Sequence, residues 1–332
     1  MRAATLRQLI KAHADGDDAA FRKAALQIAS SERVAGHERV AEEIRLLVET
    51  IAERPTQPSP APISLGRPSR ELAGLLEGGY SDVRLRDIVL TPEARHEFLR
   101  IISENRQRVK LESWGVSPSR KLLFYGPPGC GKTLAAQVLA GELGIPALTL
   151  RIDALFSRYL GETAAHLKAV FDEMPRRPAV YFFDEFDAIG KIRGDGQDVG
   201  ELRRVVVSFL QLMDSDRSPS LIIAATNDEA ILDPALFRRF DILLYFGLPS
   251  TRQLEELIGL RLAAFDLTAQ VKSELAATGS GLSFADVARA CDDAIRKMAL
   301  SNRRQPAADD LNQAFRAAKR RAQTIVTRQR QR

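Results

Sequence analysis

Leu6, Leu9, Ile10 and His13, then Phe21, Ala25 and Ile28, then Val40, Ile44, Leu47 and Ile51 recur at i, i+3/i+4, i+7 intervals. That period predicts three short amphipathic helices, with Asp15 and Asp17 around Gly16 supplying a turn and an N-cap. A bundle over residues 1–52 leaves two readings open: a packing or solubilising appendage, or a docking module for a partner or client. From Glu53 to Arg70, prolines at 55, 58, 60, 62 and 68 bar a helix and favour extended chain, so residues 53–70 are expected as a linker.

After the linker the period changes. Apolar runs of strand length at 121–125, 147–150, 179–183, 221–225 and 242–246 alternate with helix-length segments. The runs are continuous rather than alternating, as strands covered on both faces must be, and they predict an α/β unit over 71–249 with a parallel five-stranded sheet. Beyond Pro249 the strands stop. TRQLEELIGLRLAAF, FADVARACDDAIRKMAL and AADDLNQAFRAAKRR all have helical period, predicting an all-helical subdomain over 250–321 and a short tail over 322–332. No internal repeat is visible.

Composition narrows the class. With 332 residues and 45% hydrophobic content the chain can bury the cores of two or three units, which excludes wholesale disorder and a small disulfide-stapled fold. The formal charge of +5 is deceptive: Arg316 to Arg332 holds seven basic residues and no acid, leaving 41 basic against 43 acidic residues, a net of −2. The basicity belongs to the end of the chain, where a solvated or subunit-bridging role is favoured over nucleic-acid contact. Cys130 and Cys291 lie in no CxxC or Cys/His cluster, which fits a reducing compartment. No apolar run approaches the ~20 residues of a membrane helix, and the start turns acidic before any signal-like stretch develops. A soluble, cytoplasmic protein without membrane contact is expected.

Three strand ends carry chemistry. After the first run comes Gly126, Pro127, Pro128, Gly129, Cys130, Gly131, Lys132 and Thr133, which fits GxxxxGK[ST] and leads into the helical TLAAQVLAGEL. Such a loop turns its backbone N–H groups onto phosphates at a helix N-terminus, sets Lys132 to bridge the β- and γ-phosphates and offers the Thr133 hydroxyl to Mg²⁺. Cys130 within it is expected as a small packed residue. The run YFF ends in Asp184 and Glu185, the first suited to hold Mg²⁺ and the second to polarise an attacking water. Asn227 follows LIIAAT; a neutral amide there can hydrogen-bond the γ-phosphate and the nucleophilic water without adding charge, although an Asn in this position is also a common turn residue.

In this order, and followed by LDPALFRRFD, these elements resemble an AAA-type ATPase of the wider AAA+ group over about Val83 to Arg321. The resemblance implies ATP with Mg²⁺ as nucleotide and cofactor, Lys132 and Thr133 as Walker A residues, Asp184 and Glu185 as the Walker B pair and Asn227 as sensor 1. It also implies that Asp87 and Ile88 of RLRDIV lie near the adenine, with Leu134 and Ala285 completing the nucleotide contacts. Arg238 and Arg239 stand adjacent after the Leu-Asp-x-Ala-Leu element, as in spastin-like and katanin-like members, and by resemblance reach the neighbouring subunit's nucleotide. That implies a homo-oligomeric ring, usually of six. Tyr159, Leu160 and Gly161 resemble the tip of the first pore loop, which implies contact with a polypeptide client.

Two departures stand out. The lid's usual Ser-Gly-Ala-Asp is Ser283, Phe284, Ala285 and Asp286, and the acid usual three residues after the pore glycine is Ala164. His96-Glu97 is not continued to HExxH, so any protease is expected as a separate partner. The resemblance thus implies remodelling, unfolding or threading of polypeptides; the alternatives are an ATPase switch on nucleic acid using the basic tail and a nucleotide-gated assembly scaffold.

Overall fold

A computed structural model describes residues 25, 28–32, 37–53, 74–150, 161–186, 197–227 and 237–330. The helices expected before residue 25, the proline-rich stretch 54–70, and Tyr159 and Leu160 lie outside the described residues. The chain divides into two compact units, Met1–Ser64 and Leu65–Arg332.

In the first unit a helical turn at 28–32 precedes α1 (Glu38–Glu53). His37 Nδ1 lies 2.7 Å from Glu32 Oε2. Ala25, Ile28, Ala29 and Ala41 are buried, whereas Val40 and Leu46 are exposed.

The second unit begins with β1 (Leu76–Gly79), then α2 (Pro92–Arg106), α3 (Arg108–Ser113), β2 (Lys121–Tyr125), α4 (Lys132–Leu143), β3 (Ala147–Leu150), α5 (Gly161–Glu173), β4 (Val180–Phe183), α6 (Gln197–Ser215), β5 (Leu221–Thr226) and β6 (Ile242–Tyr245). Among the described residues the sheet has six strands in the order β1-β3-β4-β5-β2-β6. The five expected strands are parallel. β1 is an addition to the five-stranded expectation: it joins antiparallel to β3, pairing Leu76 with Leu150 and Gly79 with Ala147. Its sequence, LEGG, has no apolar run from which a strand could be read.

The strand period explains the two-sided core. Leu123, Tyr181, Phe183, Ile222 and Ala224 face one layer with Leu167, Phe171, Phe209 and Met213 from α5 and α6. Their neighbours Leu122, Phe124, Val180, Phe182, Ile223 and Ala225 face the other, with Phe98 and Ile101 from α2 and Val138 and Leu139 from α4. β4 and β5 are buried along their whole length, but the edge strand β6 alternates buried and exposed residues. At the sheet end opposite the glycine-rich loop, the Arg120 guanidinium, itself buried, pairs with the buried Asp216 carboxylate and donates to the Ser218 carbonyl at 3.1 Å.

A third core belongs to α7 (Thr251–Arg261), α8 (Ala269–Thr278), α9 (Phe284–Leu300) and α10 (Ala308–Arg330), where Leu254, Ile258, Leu275, Val287, Cys291, Leu311 and Phe315 are buried together. Ser250 and Ser283 start α7 and α9 as capping boxes with Gln253 and Asp286. The last of these helices continues through residues 322–330, which the sequence presents as a basic tail. No helix among the described residues is long and apolar enough to cross a membrane.

Candidate functional site

Strand order brings the three chemical strand ends together. β5 lies between β2 and β4, and the register pairs Tyr125 with Thr226 and Phe183 with Ala224. One residue further on, Asn227 therefore stands level with Gly126, and Asp184 stands beside Ala225. The carboxyl ends of adjacent parallel strands form the crevice in which open α/β sheets bind ligands.

Lys132, in the first turn of α4, is buried, and its Nζ donates to the Gly126 carbonyl at 2.6 Å, the Pro127 carbonyl at 3.0 Å and Asn227 Oδ1 at 2.8 Å. The loop's own carbonyls and the β5 amide thus orient the ammonium over the strand ends. The Thr133 hydroxyl donates to Asp184 Oδ2 at 3.0 Å, while Asp184 Oδ1 accepts from the Glu185 N–H at 2.8 Å. A hydroxyl and a carboxylate in contact are hard oxygen donors of the kind Mg²⁺ takes alongside phosphate oxygens, so Thr133 and Asp184 fit that ion. Glu185 has φ +49, in the left-handed region uncommon for residues other than glycine. The flanking bonds, its own N–H to Asp184 and the Phe186 N–H to the Ala225 carbonyl at 2.8 Å, hold it there, exposed at the strand end.

The cleft over this cluster encloses about 440 Å³. Pro128, Gly129, Gly131, Lys132, Thr133, Asp184, Glu185 and Asn227 line it from the strand ends, with Asp87 and Leu134 beside them. Four expected contacts do not line it. Gly126 and Pro127 act through their carbonyls on Lys132, Cys130 is buried beneath the loop, and Ile88 is buried in the core under Asp87. Burial pushes the Cys130 thiol above its ordinary pKa, which fits the packed role expected for it.

Across the cleft stand Leu257, Arg261, Phe284, Ala285 and Ala288 from the helical subdomain. Of these the sequence reading named Ala285 as a contact and Phe284 as a departure in the lid motif, and it missed Leu257, Arg261 and Ala288. The subdomain is docked on the loop: the Ala285 N–H donates to the Gly129 carbonyl at 3.0 Å, and a Cβ on Gly129, whose φ is +76, would fall 2.7 Å from Ser283 Oγ. Gly129 therefore serves both the loop's turn and the docking of α9. The missed signal was a charge at the end of an apolar stripe, because Leu254, Leu257, Ile258 and Arg261 follow one another at helical spacing.

Arg238 and Arg239 do not line the cleft. Arg238 is exposed with no ion-pair or hydrogen-bond partner among the described residues, whereas Arg239 pairs with Asp214 at the end of α6. Phe237, just before them, meets Tyr125 edge-on at 6.5 Å, tying this segment to the strand that carries the glycine-rich loop. Gly161 opens α5.

A model of the ATPase family associated with various cellular activities (AAA) matches residues 122–248, the span from the start of β2 to just before α7. An uncharacterised AAA family ATPase of Sinorhizobium fredii is 36% identical over 313 residues, 92% of this chain and 93% of that protein. The ATP-dependent zinc metalloprotease FtsH of Caulobacter vibrioides is 31% identical over 250 residues, which take in 73% of this chain but 40% of that protein.

Proposed function

The chain belongs to the AAA family of ATPases, and we propose that it works as a homo-oligomeric ring, a hexamer by family resemblance, in which ATP hydrolysis remodels, unfolds or threads polypeptide clients. One observation carries the ring. Lys132 and Arg261 are the cations among the described residues that line the cleft, and Asp292 accepts from Arg261 at 2.6 Å, well along α9 from the loop. Among the described residues, Lys132 is the cation that contacts the loop of the phosphate end. An Arg238 that is exposed and has no partner among the described residues, outside the cleft and with Arg239 beside it, supports a site completed by another copy, because an arginine supplied in trans to a γ-phosphate is worth ~10³ to 10⁵ in rate.

Within one subunit, Lys132 Nζ holds the β- and γ-phosphates, and Asn227, already bonded to Lys132, orients the attacking water. Glu185 accepts a proton from that water as its oxygen bonds the γ-phosphorus. The bond from phosphorus to the β–γ bridging oxygen breaks, leaving ADP and phosphate. Mg²⁺ held by Thr133 and Asp184 would neutralise charge between the two phosphates. The arginines of the adjoining copy then face the transferring group, so hydrolysis in one subunit is tied to its contact with the next.

The client reading rests on Tyr159, Leu160 and Gly161 as a pore-loop tip. The proposal extends to delivery of the clients to a separately encoded protease, and the 332 residues contain no HExxH. An unfolded polypeptide such as reduced casein should raise the ATPase rate of the wild type severalfold and fail to raise that of Tyr159→Ala. Equal stimulation of both would remove the threading reading while leaving the ATPase intact.

A further inference from the structure

Residues 237–241 lead into β6, and four of the five are anchored within one copy. Phe237 packs against the core layer of α5 and α6, and its ring meets Tyr125 edge-on at 6.5 Å. The Tyr125 ring in turn lies 5.3 Å from that of Tyr245. Phe240 is buried in the same layer as Phe183 and Phe209, and its N–H donates to the Phe237 carbonyl at 3.4 Å, closing a single turn. Asp241 Oδ2 accepts the backbone N–H groups of Arg120 and Lys121, both at 2.9 Å. Arg239 Nη1 donates to Asp214 Oδ2 at the end of α6. Arg238, between two anchored neighbours, is exposed and has no partner among the described residues. Successive side chains on a helical turn point about 100° apart. With Phe237 turned to the core and Arg239 to its own α6, Arg238 is left facing away from both.

Charge separates the two arginines further. A cation stabilises a transferring phosphoryl group through its net charge, and a carboxylate in contact cancels most of that charge. Arg239 is already paired within its own copy, whereas Arg238 carries its full charge. We propose that Arg238 is the arginine that enters the neighbouring copy's site, and that Arg239 and Asp214 are positioning residues, which hold the turn so that Arg238 projects from it. The inference rests on the shared active site and divides between two residues the role given there to the arginine pair. Its consequence is directional. Asp214 does not line its own copy's cleft, so its loss is felt in the active site of the next copy, while Lys132, Thr133, Asp184 and Glu185 beside it remain competent.

The test measures phosphate release by full-length chains mixed so that copies exchange. Glu185→Gln supplies arginines to its neighbour but cannot hydrolyse; a double variant with Arg238→Ala and Arg239→Ala retains Glu185 but supplies no arginine. If mixing these two restores nothing, the shared site itself fails, whatever Asp214 does. With that control positive, Asp214→Ala is mixed with each. Alone it should release phosphate about 10²-fold more slowly than wild type, the cost of a misplaced group. Glu185→Gln should restore it, because the Asp214→Ala copy keeps a competent site and borrows a well-aimed Arg238. The arginine double variant should not restore it, because each copy then lacks an aimed arginine to give. Restoration by both partners or by neither would overturn the role of Asp214, and so would wild-type activity of Asp214→Ala alone. A second pair of variants separates the arginines. Arg239→Lys can still pair with Asp214 and should lose about 5-fold, the scale of one exposed ion pair. Arg238→Lys gives up the planar fork at the phosphate and should lose most of the ~10³-fold or more that an arginine in trans supplies. Equal losses in the two lysine variants would show both arginines entering the neighbour and overturn the division between them.

Discussion

Gly141→Ala is a substitution for which local and tertiary forces predict opposite signs. Gly141 is a buried interior residue of α4, and helix propensity alone favours alanine there by about 1 kcal/mol. Packing reverses this. A Cβ at Gly141 would sit 2.1 Å from the Val83 carbonyl oxygen, 2.5 Å from Arg84 Nη1 and 3.0 Å from the Ser81 carbonyl oxygen. The arginine can swing aside, but the two carbonyls belong to the chain that crosses α4 on its way to Leu85, Asp87 and Ile88. That chain must retreat by about 1 Å to reach ordinary contact. It is tied down by the Leu85 N–H on Glu142 Oε1 at 2.9 Å and by burial of Leu85, Ile88 and Val89. Overpacking against such a backbone belongs at the upper end of its usual range, about 3 kcal/mol, so the predicted net is a loss of about 2 kcal/mol. For a unit of this size that lowers the melting temperature by roughly 4–8 °C. Because Asp87 lines the cleft, ADP affinity should fall as well. Thermal melts with and without ADP read both effects. A melting temperature at or above wild type would show that the crossing segment does not lie on α4 as described.

Two further outcomes follow from other parts of the molecule. Asp216→Ala strands the buried Arg120 guanidinium and should destabilise by about 3–5 kcal/mol in denaturant titration; Asp216→Ala combined with Arg120→Met should recover part of the loss. Burial pushes the Cys130 thiol up and the Cys291 thiol up to about 12, so both stay protonated at pH 8. Iodoacetamide should label neither in the native protein and both in denaturant, and prompt labelling of Cys130 would contradict the packing of the glycine-rich loop.

How much of this was legible beforehand depended on the length scale of each signal. Asp184, Glu185 and Asn227 could be picked out because each stands at the end of a continuous apolar strand, and Lys132 and Thr133 because they close the glycine-rich loop that follows one; the structure brings all five together. What put them side by side, β5 inserted between β2 and β4, is a property of the whole sheet, and no local pattern encodes it. β1 was illegible because two of its four residues are glycines and its pairing with β3 is entirely tertiary. The far wall of the cleft was partly legible: Phe284 was visible as a departure, but Arg261 belongs to a helix whose stripe indicates only burial. Its partner Asp292 lies 31 residues away, on another helix. The pairing of Arg239 with Asp214, from the end of α6, was hidden for the same reason.

The central claim, that each active site is completed by a second copy, is tested most directly by mixing two inactive proteins. Glu185→Gln keeps both arginines, and a double variant with Arg238→Ala and Arg239→Ala keeps Glu185. Each alone should release phosphate at least ~10³-fold more slowly than wild type. Mixed under conditions that let subunits exchange, they should recover a substantial fraction of wild-type phosphate release, because some interfaces will pair an intact Glu185 with intact arginines. A mixture no more active than the sum of its parts would contradict a shared active site, and so would an arginine double variant that hydrolyses ATP at the wild-type rate.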